Sequence, residues 1–549
     1  MNQRRTPNDS RTAAGGSLSR RHLLQGAGSA GVAATAGVAL GRHASAASGG
    51  QAPAFLRGRN QASGEVVVSL KNGIIAQDPT LTGSVSDIAV NFQNYETLID
   101  QPEKAGDFVP VLAESWSNPD PLTWEFKLRQ GVKFHNDEPF NAESVKVTMD
   151  RWTNPDVGAP MGPILYPTGA IAETVVVDDY TVQIKTAEPF GAMLSSLLLT
   201  YIMPAKATTD AGSKPIPENI GTGPFRMTEW VQADHIYMEA FDGYWGEPAK
   251  VAKLTYRHVI EDATRLAALR AGELHICDEI SADQAKVLTD DGGFTTPTQQ
   301  TVESLYPVFN CTMPPFNDVR VRQAFNYGID MKSIIEAILG QGAIRQVAPI
   351  SPEVFAFNDG LPQYDYDPDK AKSLLKDAGV GDGLKVTFVV PGDRYPKGRD
   401  LAQTIAASAA QIGVTIDIQV PEMNAAFSMI TDDRAHWNLF QWGISAVNAD
   451  PDFPLRWFFH SHSEPEYGGT AATTYLNHDV DKLLDQGAAT LDPAARAQYY
   501  KDAQALIWNE AACLWQHHVV DIYGVSNKVS GLVLRPDKRA VMKGVSIQG

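Results

Sequence analysis

Residues 384–420, LKVTFVVPGDRYPKGRDLAQTIAASAAQIGVTIDIQV, decide the fold class of this chain. The segment opens with an apolar run rich in Val at 384–390 and closes with a β-branched run at 414–420, and both compositions favour strands. Between them, 398–411 has the spacing of a helix, and Gly413 is a stop signal. A strand, a crossover helix and a second strand place two parallel strands in one sheet. The segment therefore predicts an α/β lobe.

A second α/β region covers residues 251–310. Its sequence predicts a strand at 253–259 followed by a helix that ends at Gly272. Elsewhere, 86–99 predicts a helix, and the alternating pattern at 123–128 predicts a half-buried strand. Four further helix starts are marked by N-cap residues: Asn141, Asp318, Asp367 and Asp492. The chain is therefore expected to hold at least two α/β lobes and an additional segment near residues 100–200.

The composition is that of an acidic globular protein. The chain has 549 residues, of which 43% are apolar and 20% are charged, and its formal net charge is −18. Residues 1–46 contain six Arg and one Asp, so the remaining residues carry a charge of −23. Such a body lacks the basic face that phosphate contact needs, and we expect no nucleic-acid partner. The length indicates more than one domain.

The first 47 residues have the pattern of an export signal. SRRHLLQ at 19–25 is a twin-arginine motif, an Ala- and Gly-rich run follows to Leu40, and ASA at 44–46 supplies small residues for cleavage. The run is too weakly apolar for a stable membrane span. We therefore predict a cleaved signal peptide of the Tat type. The exported protein is expected to be periplasmic and soluble, without a lipid anchor because no Cys precedes Cys277.

No motif in the sequence indicates catalysis or a bound metal. GxSxG, HExxH and P-loop patterns are absent, so we expect no enzymatic activity and no cofactor. His460 and His462, with Glu464, could ligate a metal ion, but the polar loop around them predicts a solvated surface. His517 and His518 alternate sides of a strand, which predicts one core and one surface side chain. The three cysteines, Cys277, Cys311 and Cys513, could form one disulfide bridge, and the sequence does not decide which two would pair.

Five stretches together resemble one protein family, the family 5 extracellular solute-binding proteins of ABC importers. The most specific is LRQGVKFHNDEPFNA at 128–142, which is similar to the family signature LRxGVKFH[DN]GxP[FL]xA. Asp137 stands where the signature has Gly, and Ser144 stands where Asp is usual. The other four stretches are PVLAESW at 110–116, NIGTGPF at 219–225, YW at 244–245 and PFNDVRVRQA at 315–324.

The resemblance implies a class II periplasmic-binding-protein fold, in which two hinged α/β lobes close on a solute. The expected domains are a signal peptide at 1–47, lobe I at 48–90, 200–310 and 525–549, an extra subdomain at 91–199, and lobe II at 311–524. Such a protein captures a polar small solute outside the cytoplasm and delivers it to the permease subunits of an ABC importer.

The expected partners are therefore a peptide-like, opine-like or sugar-like solute and the ABC permease, and the expected state is a monomer. A ligand-sensing receptor or carrier of the same fold is one alternative, and a secreted hydrolase is another.

Three residues of the expected lobe II are candidates for solute contact. Trp442 could offer a flat face to a solute, or it could be a core residue after its strand. Arg394 resembles the Arg that pairs with a peptide carboxylate in relatives, and a solvated loop Arg is the alternative. Asp450 lies where relatives place pocket residues. Between Trp442 and Asp450 the acid that holds a peptide's amine is missing, unless Asp450 or Asp452 turns in, so we expect plain dipeptides to bind weakly.

Ser84, Ser86 and Asp87 are the candidates on the other lobe. Relatives line the pocket from this stretch, so the resemblance implies solute contact. An N-capping cluster at a helix start is the alternative. No metal is expected in the site, and the identity of the solute stays open.

Overall fold

The structure is a computed structural model that describes residues 62–102, 104–167, 169–381, 383–392, 394–431, 436–461 and 474–548. These residues fall within one compact unit. The predicted export signal lies outside the described residues, as do His462 and Glu464. Within the described residues, no helix is long and apolar enough to cross a membrane.

The described residues form three main sheets, and the first of these has seven strands. Its central strand, Glu65–Leu70, runs parallel to Lys253–His258, and Val66 and Leu70 on it are buried. Such a run of apolar residues suits a strand that is covered on both faces. In spatial order the strands are Phe294–Thr295, Gly524–Ser526, Ile276–Cys277, Glu65–Leu70, Lys253–His258, His235–Ala240 and Phe225–Val231.

The second sheet has six strands and contains the segment that predicted the fold class. Leu384–Val389 pairs in parallel with Val414–Gln419, and helix Gly398–Ala410 connects them. Ile405 of that helix is buried with Phe388 of the sheet, so the crossover packs as its apolar spacing predicts. In spatial order the strands are Ala343–Arg345, His517–Ile522, Thr298–Phe309, Leu439–Ser445, Leu384–Val389 and Val414–Gln419.

The third sheet has four antiparallel strands and belongs to the additional segment. Helix Ala142–Thr153 and helix Met193–Leu197 bury Val145 and Leu197 in one core with Phe126 of the sheet. In spatial order the strands are Ala113–Asp120, Thr123–Leu128, Thr181–Thr186 and Ile171–Asp178. Three two-stranded sheets pair Ile99–Asp100 with Val109–Pro110, Val529–Ser530 with Ser546–Ile547, and Val533–Leu534 with Ala540–Val541.

The other helices cover the sheets, and predicted N-caps start several of them. The side chains of Asn141, Asp318, Asp367 and Asp492 each accept a backbone N–H of the first turn that follows. The remaining α-helices are Val85–Asn94, Gly162–Leu165, Ala205–Ala211, Asp262–Ala271, Ala282–Asp291, Val319–Gly328, Met331–Ile338, Pro368–Asp377, Met423–Thr431, Asp452–Phe459, His478–Ala489 and Pro493–Asn509. In the part of the chain that the structure describes, Pro79–Leu81 and Gly340–Gly342 are 3₁₀ turns.

Within the described residues, the chain passes between the seven-stranded and six-stranded sheets twice. It leaves through Thr298–Phe309 and returns through His517–Ile522, and these two strands pair with Thr298 opposite Ile522. Two adjacent strands form a narrow connection about which two bodies can rotate. The expected lobe boundary at residue 310 falls after the first crossing, which lies between strands Phe294–Thr295 and Thr298–Phe309. The division into lobes stays a prediction.

Two local differences from the sequence predictions have clear causes. The helix expected to continue to residue 99 ends at Asn94, because the Asn94 backbone carbonyl accepts the Gly223 N–H at 2.9 Å and its side chain accepts the Met227 N–H at 3.0 Å. Asp137 has a φ of 68°, the left-handed conformation that favours glycine. This geometry gives a physical reason for the Gly of the family signature at that position.

Candidate functional site

The candidate site lies at the boundary between the seven-stranded and six-stranded sheets, beside the loop that follows strand Leu384–Val389. Arg394 on this loop is exposed, and its guanidinium lies 5.4 Å from the centre of the Tyr395 ring. Further along the loop, Lys397 Nζ lies 3.5 Å from Asp283 Oδ2 of helix Ala282–Asp291. Since this helix packs beside the seven-stranded sheet, the loop reaches across the inter-sheet boundary and places Arg394 there.

A glycine holds the Arg394 loop close to its sheet. A Cβ added to Gly443 would lie 3.2 Å from Cε1 of Tyr395 and 3.0 Å from Cγ of Leu305. The bare backbone of Gly443 therefore lets the Tyr395 ring lie on the strand, and Tyr395 in turn positions the neighbouring Arg394.

A cluster of three charged side chains lies near Arg394, and we call it the hinge cluster. Glu303 and Asp521 are on the crossing strands, and Lys538 lies between strands Val533–Leu534 and Ala540–Val541. Lys538 donates to Glu303 Oε2 at 2.8 Å, and its Nζ lies 3.4 Å from Asp521 Oδ1. Burial acts to raise the pKa of Glu303, but the charge and hydrogen bond of Lys538, together with the charge of Arg394, hold that pKa below its ordinary value. The cluster therefore couples Arg394 to the connection between the sheets.

The hinge cluster carries more acid than base. Burial raises the pKa of Asp521 to about 6, and the nearby Glu279 and Glu303 add to the increase. Burial and Glu279 also raise the pKa of Asp278 to about 6. Glu279 and Asp278 follow strand Ile276–Cys277 of the seven-stranded sheet, so acids from both sheets meet at the boundary. Two of these carboxyls are expected to change charge near pH 6.

Trp442 lies on strand Leu439–Ser445 and is partly buried. Its ring centre is 5.6 Å from that of Phe440 and 6.3 Å from that of Phe458, both of which belong to the core of the six-stranded sheet. Successive strand residues point to opposite faces, so Trp442 faces away from Tyr395, which lies against Gly443. Trp442 therefore packs against the core of the six-stranded sheet, and its contact with a solute stays a prediction.

Asp450 is fully buried and is held by an ion pair, in contrast to the expected solute contact. Arg496 donates to both of its carboxylate oxygens at 2.8 Å, and the Ser195 hydroxyl donates to Oδ2 at 2.8 Å. Although burial acts to raise the pKa of Asp450, Arg496 holds it below its ordinary value. Asp452 accepts the Tyr500 hydroxyl at 2.8 Å and lies 3.4 Å from Arg456. Both acids that could have received a peptide amine are therefore engaged within the protein.

Ser84 and Asp87 form a capping box at the start of helix Val85–Asn94. The Ser84 hydroxyl accepts the Asp87 N–H, and the Asp87 carboxylate accepts the Ser84 N–H at 3.2 Å. Asp87 Oδ1 also accepts the Ile75 N–H at 3.0 Å, and burial raises its pKa. This geometry corresponds to the capping alternative for Ser84 and Asp87. Ser86 is half-buried one residue into the helix, and its contact with a solute stays a prediction.

Two expectations for histidines were wrong, because strands and helices enclose these side chains. His460 is buried rather than solvated, and its Nε2 lies 3.2 Å from Asp485 Oδ1. His517 and His518 are both buried, and His518 Nδ1 lies 2.9 Å from the Ser304 hydroxyl. Burial lowers their pKa values to about 4 and about 3. In the described part of the chain, no group of three or more His, Cys, Asp or Glu could hold a metal ion.

Two stretches of the family resemblance, 219–225 and 244–245, both contact Glu96. The Glu96 carboxylate accepts hydrogen bonds from Thr222 at 2.9 Å, Tyr244 at 2.8 Å and Trp245 Nε1 at 2.7 Å. A Cβ added to Gly221 would lie 2.0 Å from the Asn94 carbonyl oxygen. The small residues of this turn are therefore required for packing on the end of helix Val85–Asn94.

Sequence reasoning missed the hinge cluster and the partner of Asp450. Glu303 precedes Asp521 and Lys538 by more than two hundred residues in the sequence, and the pairing of the crossing strands brings these two parts of the chain together. The signal for Arg496 was weak, because an Arg in an otherwise amphipathic helix is normally a solvated residue.

Comparison with known proteins finds the same family by a family profile and by individual relatives. A profile of the bacterial extracellular solute-binding proteins, family 5, matches residues 107–465. The glutathione-binding protein GsiB of Pectobacterium atrosepticum is 32% identical over 444 residues, which cover 79% of this chain and 85% of that protein. GsiB of Salmonella typhimurium is 30% identical over 488 residues, which cover 87% of this chain and 93% of that protein.

Solved structures resemble the fold over most of its length. HbpA2 from Haemophilus parasuis has a TM-score of 0.77 at 25% identity and covers 88% of this chain and all of that chain. A dipeptide-binding protein from Pseudoalteromonas, solved with Met-Leu, has a TM-score of 0.75 at 23% identity, again over 88% of this chain and all of that chain. At 23% identity, the similarity to the Pseudoalteromonas protein is evidence for the fold alone.

Proposed function

The chain belongs to the bacterial extracellular solute-binding proteins of family 5, and from this premise we propose that its solute is a peptide-like molecule with free carboxylates. The fold predicted from the sequence resemblance is confirmed. The protein serves an ABC importer as its extracytoplasmic solute-binding component. The open question is which chemistry selects the solute.

The exposed position of Arg394 is the observation that supports this proposal. Arg394 is exposed at the inter-sheet boundary, where a solute held between two closing lobes would lie. A guanidinium presents two parallel N–H donors and matches the two oxygens of a carboxylate. The Glu303 carboxylate is near enough to influence Arg394 electrostatically, but Lys538 already satisfies it. Arg394 is therefore available for a solute carboxylate.

The relatives support a peptide-like solute. Two relatives at or above 30% identity are named as glutathione-binding proteins, and glutathione is a tripeptide with two carboxylates and one amine. A plain dipeptide needs a dedicated acid for its amine, and Asp450 and Asp452 are engaged with Arg496 and Arg456. The amine of glutathione lacks this partner as well, so its advantage over a neutral dipeptide lies in the second carboxylate, which gives Arg394 a further group to contact. An opine-like acid fits the same chemistry and is the alternative.

The remaining features of the function follow from the family and from the sequence pattern. The twin-arginine motif supports export by the Tat route, and a monomer that delivers its solute to a permease is the expected working unit. A solute-binding protein returns its ligand chemically unchanged, which distinguishes it from a secreted hydrolase. Incubation with the bound solute followed by mass spectrometry tests this difference.

Titration calorimetry of the Arg394→Gln variant tests the carboxylate contact. Reduced glutathione and its glycine carboxamide are the probes. We expect Arg394→Gln to weaken binding of the acid by roughly 10- to 100-fold, the worth of a charge-assisted contact, and to leave the affinity for the less favoured carboxamide nearly unchanged. Arg399→Gln is the matched control, because Arg399 is exposed on the helix that follows the same loop. Equal losses for both probes would contradict the proposed pairing.

A further inference from the structure

Ser195 and Asp450 lie where two bodies built on different sheets meet, and Val447 near Asp450 packs into the core of the four-stranded sheet. Ser195 lies on helix Met193–Leu197, which packs in the core of the four-stranded sheet. Asp450 follows strand Leu439–Ser445 and precedes helix Asp452–Phe459, which packs in the core of the six-stranded sheet. The 2.8 Å hydrogen bond from the Ser195 hydroxyl to Asp450 Oδ2 therefore passes from one body to the other.

Water is excluded from this contact. Asp450 is 0% exposed, Arg496 is 4% exposed and Ser195 is 6% exposed. Oδ2 of Asp450 accepts from Ser195 and from Arg496 at the same time, so the hydroxyl completes an ion pair that belongs to the six-stranded-sheet body. A hydrogen bond to a charged group in such a site is stronger than an exposed one.

The backbone fits closely around the same contact. The Gly191 N–H donates to the Ala488 carbonyl oxygen at 2.7 Å, again between the two bodies. A Cβ added to Gly191 would lie 2.3 Å from the Thr490 carbonyl oxygen and 2.9 Å from Arg496 Nε. Only a residue without a side chain permits this approach, and the φ of Gly191 is not in the left-handed region, so alanine would be tolerated there in an open arrangement.

We propose that Gly191, Ser195, Asp450 and Arg496 form a closure latch, which sets the affinity for the solute without touching it. The proposal rests on the family function of solute capture by lobe closure and not on the identity of the solute. The latch forms only when the two bodies meet, so it shifts the equilibrium toward the closed form. The apparent Kd is inversely proportional to the closed fraction of the protein, so a larger closed fraction gives tighter binding. Ser195 is thus a positioning residue, and Asp450 acts on the solute through closure.

Paired serine variants test the latch. Ser195→Ala removes the hydroxyl that crosses between the bodies, whereas Ser196→Ala removes a buried hydroxyl that donates to Leu165 within one body. Hydrogen exchange of peptides that cover residues 188–197 and 486–491 is compared in the free protein and with reduced glutathione. For Ser195→Ala we expect exchange at least about fivefold faster in both segments and glutathione binding roughly tenfold weaker. For Ser196→Ala we expect no change at 486–491.

A glycine variant provides the second test. Gly191→Ala should open the latch sterically and weaken glutathione binding more than Ser195→Ala does, while the melting temperature of the free protein stays near that of the wild type. Gly381→Ala is the control, since no atom lies within 4 Å of an added Cβ there. Failure of the wild type to bind glutathione would count against the proposed solute only, because the exchange comparison in the free protein still reports on the latch. Unchanged exchange at 486–491 in Ser195→Ala and Gly191→Ala would overturn the latch.

Discussion

Two buried acidic groups of this protein differ in how completely their charge is balanced. Asp450 meets one Arg in bidentate geometry, and Arg496 holds its pKa below the ordinary value. In the hinge cluster a single Lys538 serves both Glu303 and Asp521, and the pKa of Asp521 rises to about 6. The balanced pair is a fixed structural element, whereas the unbalanced cluster keeps a carboxyl that can respond to pH and to a charged solute.

This difference explains why the sequence alone did not reveal the ion pair of Asp450. An Asp before Pro in a loop has the same pattern whether it faces a solute or an Arg of a distant helix. The partner of Asp450 lies 46 residues further along the chain, and only the packing of helix Pro493–Asn509 brings the two together. Whether a buried acid has a counter-charge depends on the tertiary structure, so it can be seen only once the packing of the helices is known.

The largest effect is expected for the balanced pair. Arg496→Met leaves Asp450 buried without its counter-charge, so we expect the free energy of unfolding to fall by about 3–5 kcal/mol. Chemical denaturation of the free protein measures the loss. Arg320→Met is the control, because its ion pair with Asp318 is on the surface and its removal should leave the unfolding midpoint nearly unchanged. If both variants lost a similar free energy of unfolding, the buried Asp450–Arg496 pair would be no more important for stability than a surface ion pair.

Local patterns predicted much of the fold. The parallel unit at 384–420, strand Thr123–Leu128 and the four predicted N-caps all depend on neighbouring residues, and all are observed. The helix expected through residue 99 failed because a distant turn at Gly223 ends it. Of the site, the sequence indicated the Arg394 loop by resemblance, but the hinge cluster depends on strands that pair across more than two hundred residues.

A smaller effect, which depends on pH, is expected for the unbalanced cluster. Asp521 has a folded pKa of about 6 and an unfolded pKa near 3.9, so the folded state binds the extra proton between these values. The stabilisation from this group is complete below about pH 4 and is lost as pH rises through about 6. Relative to Asp521→Asn, the wild type should therefore gain roughly 1 kcal/mol between pH 7 and pH 5.

Unfolding free energies of both proteins across this pH range measure the effect. The buried His517 and His518 have lowered pKa values and act in the opposite direction, since the unfolded state takes up their protons as pH falls below about 6.5. The difference between the two curves cancels this common contribution and isolates Asp521. Parallel curves would mean that the cluster is as well balanced as the Asp450 pair.

The smallest effect concerns Ser84, which distinguishes a capping serine from a solute contact. Ser84→Ala removes the hydroxyl that accepts the Asp87 N–H, so we expect a loss of about 1 kcal/mol in unfolding free energy and no change in solute affinity. Ser86→Ala is the matched variant, because Ser86 lies two positions away inside the first turn of the same helix and does not cap it. It should leave stability nearly unchanged, and a loss of glutathione binding in calorimetry would place a solute against this turn. If Ser84→Ala weakened binding without lowering stability, the capping box would contribute little to stability. The start of this helix would then belong to the solute site, and Ser84 would respond to the solute as the unbalanced cluster is expected to do.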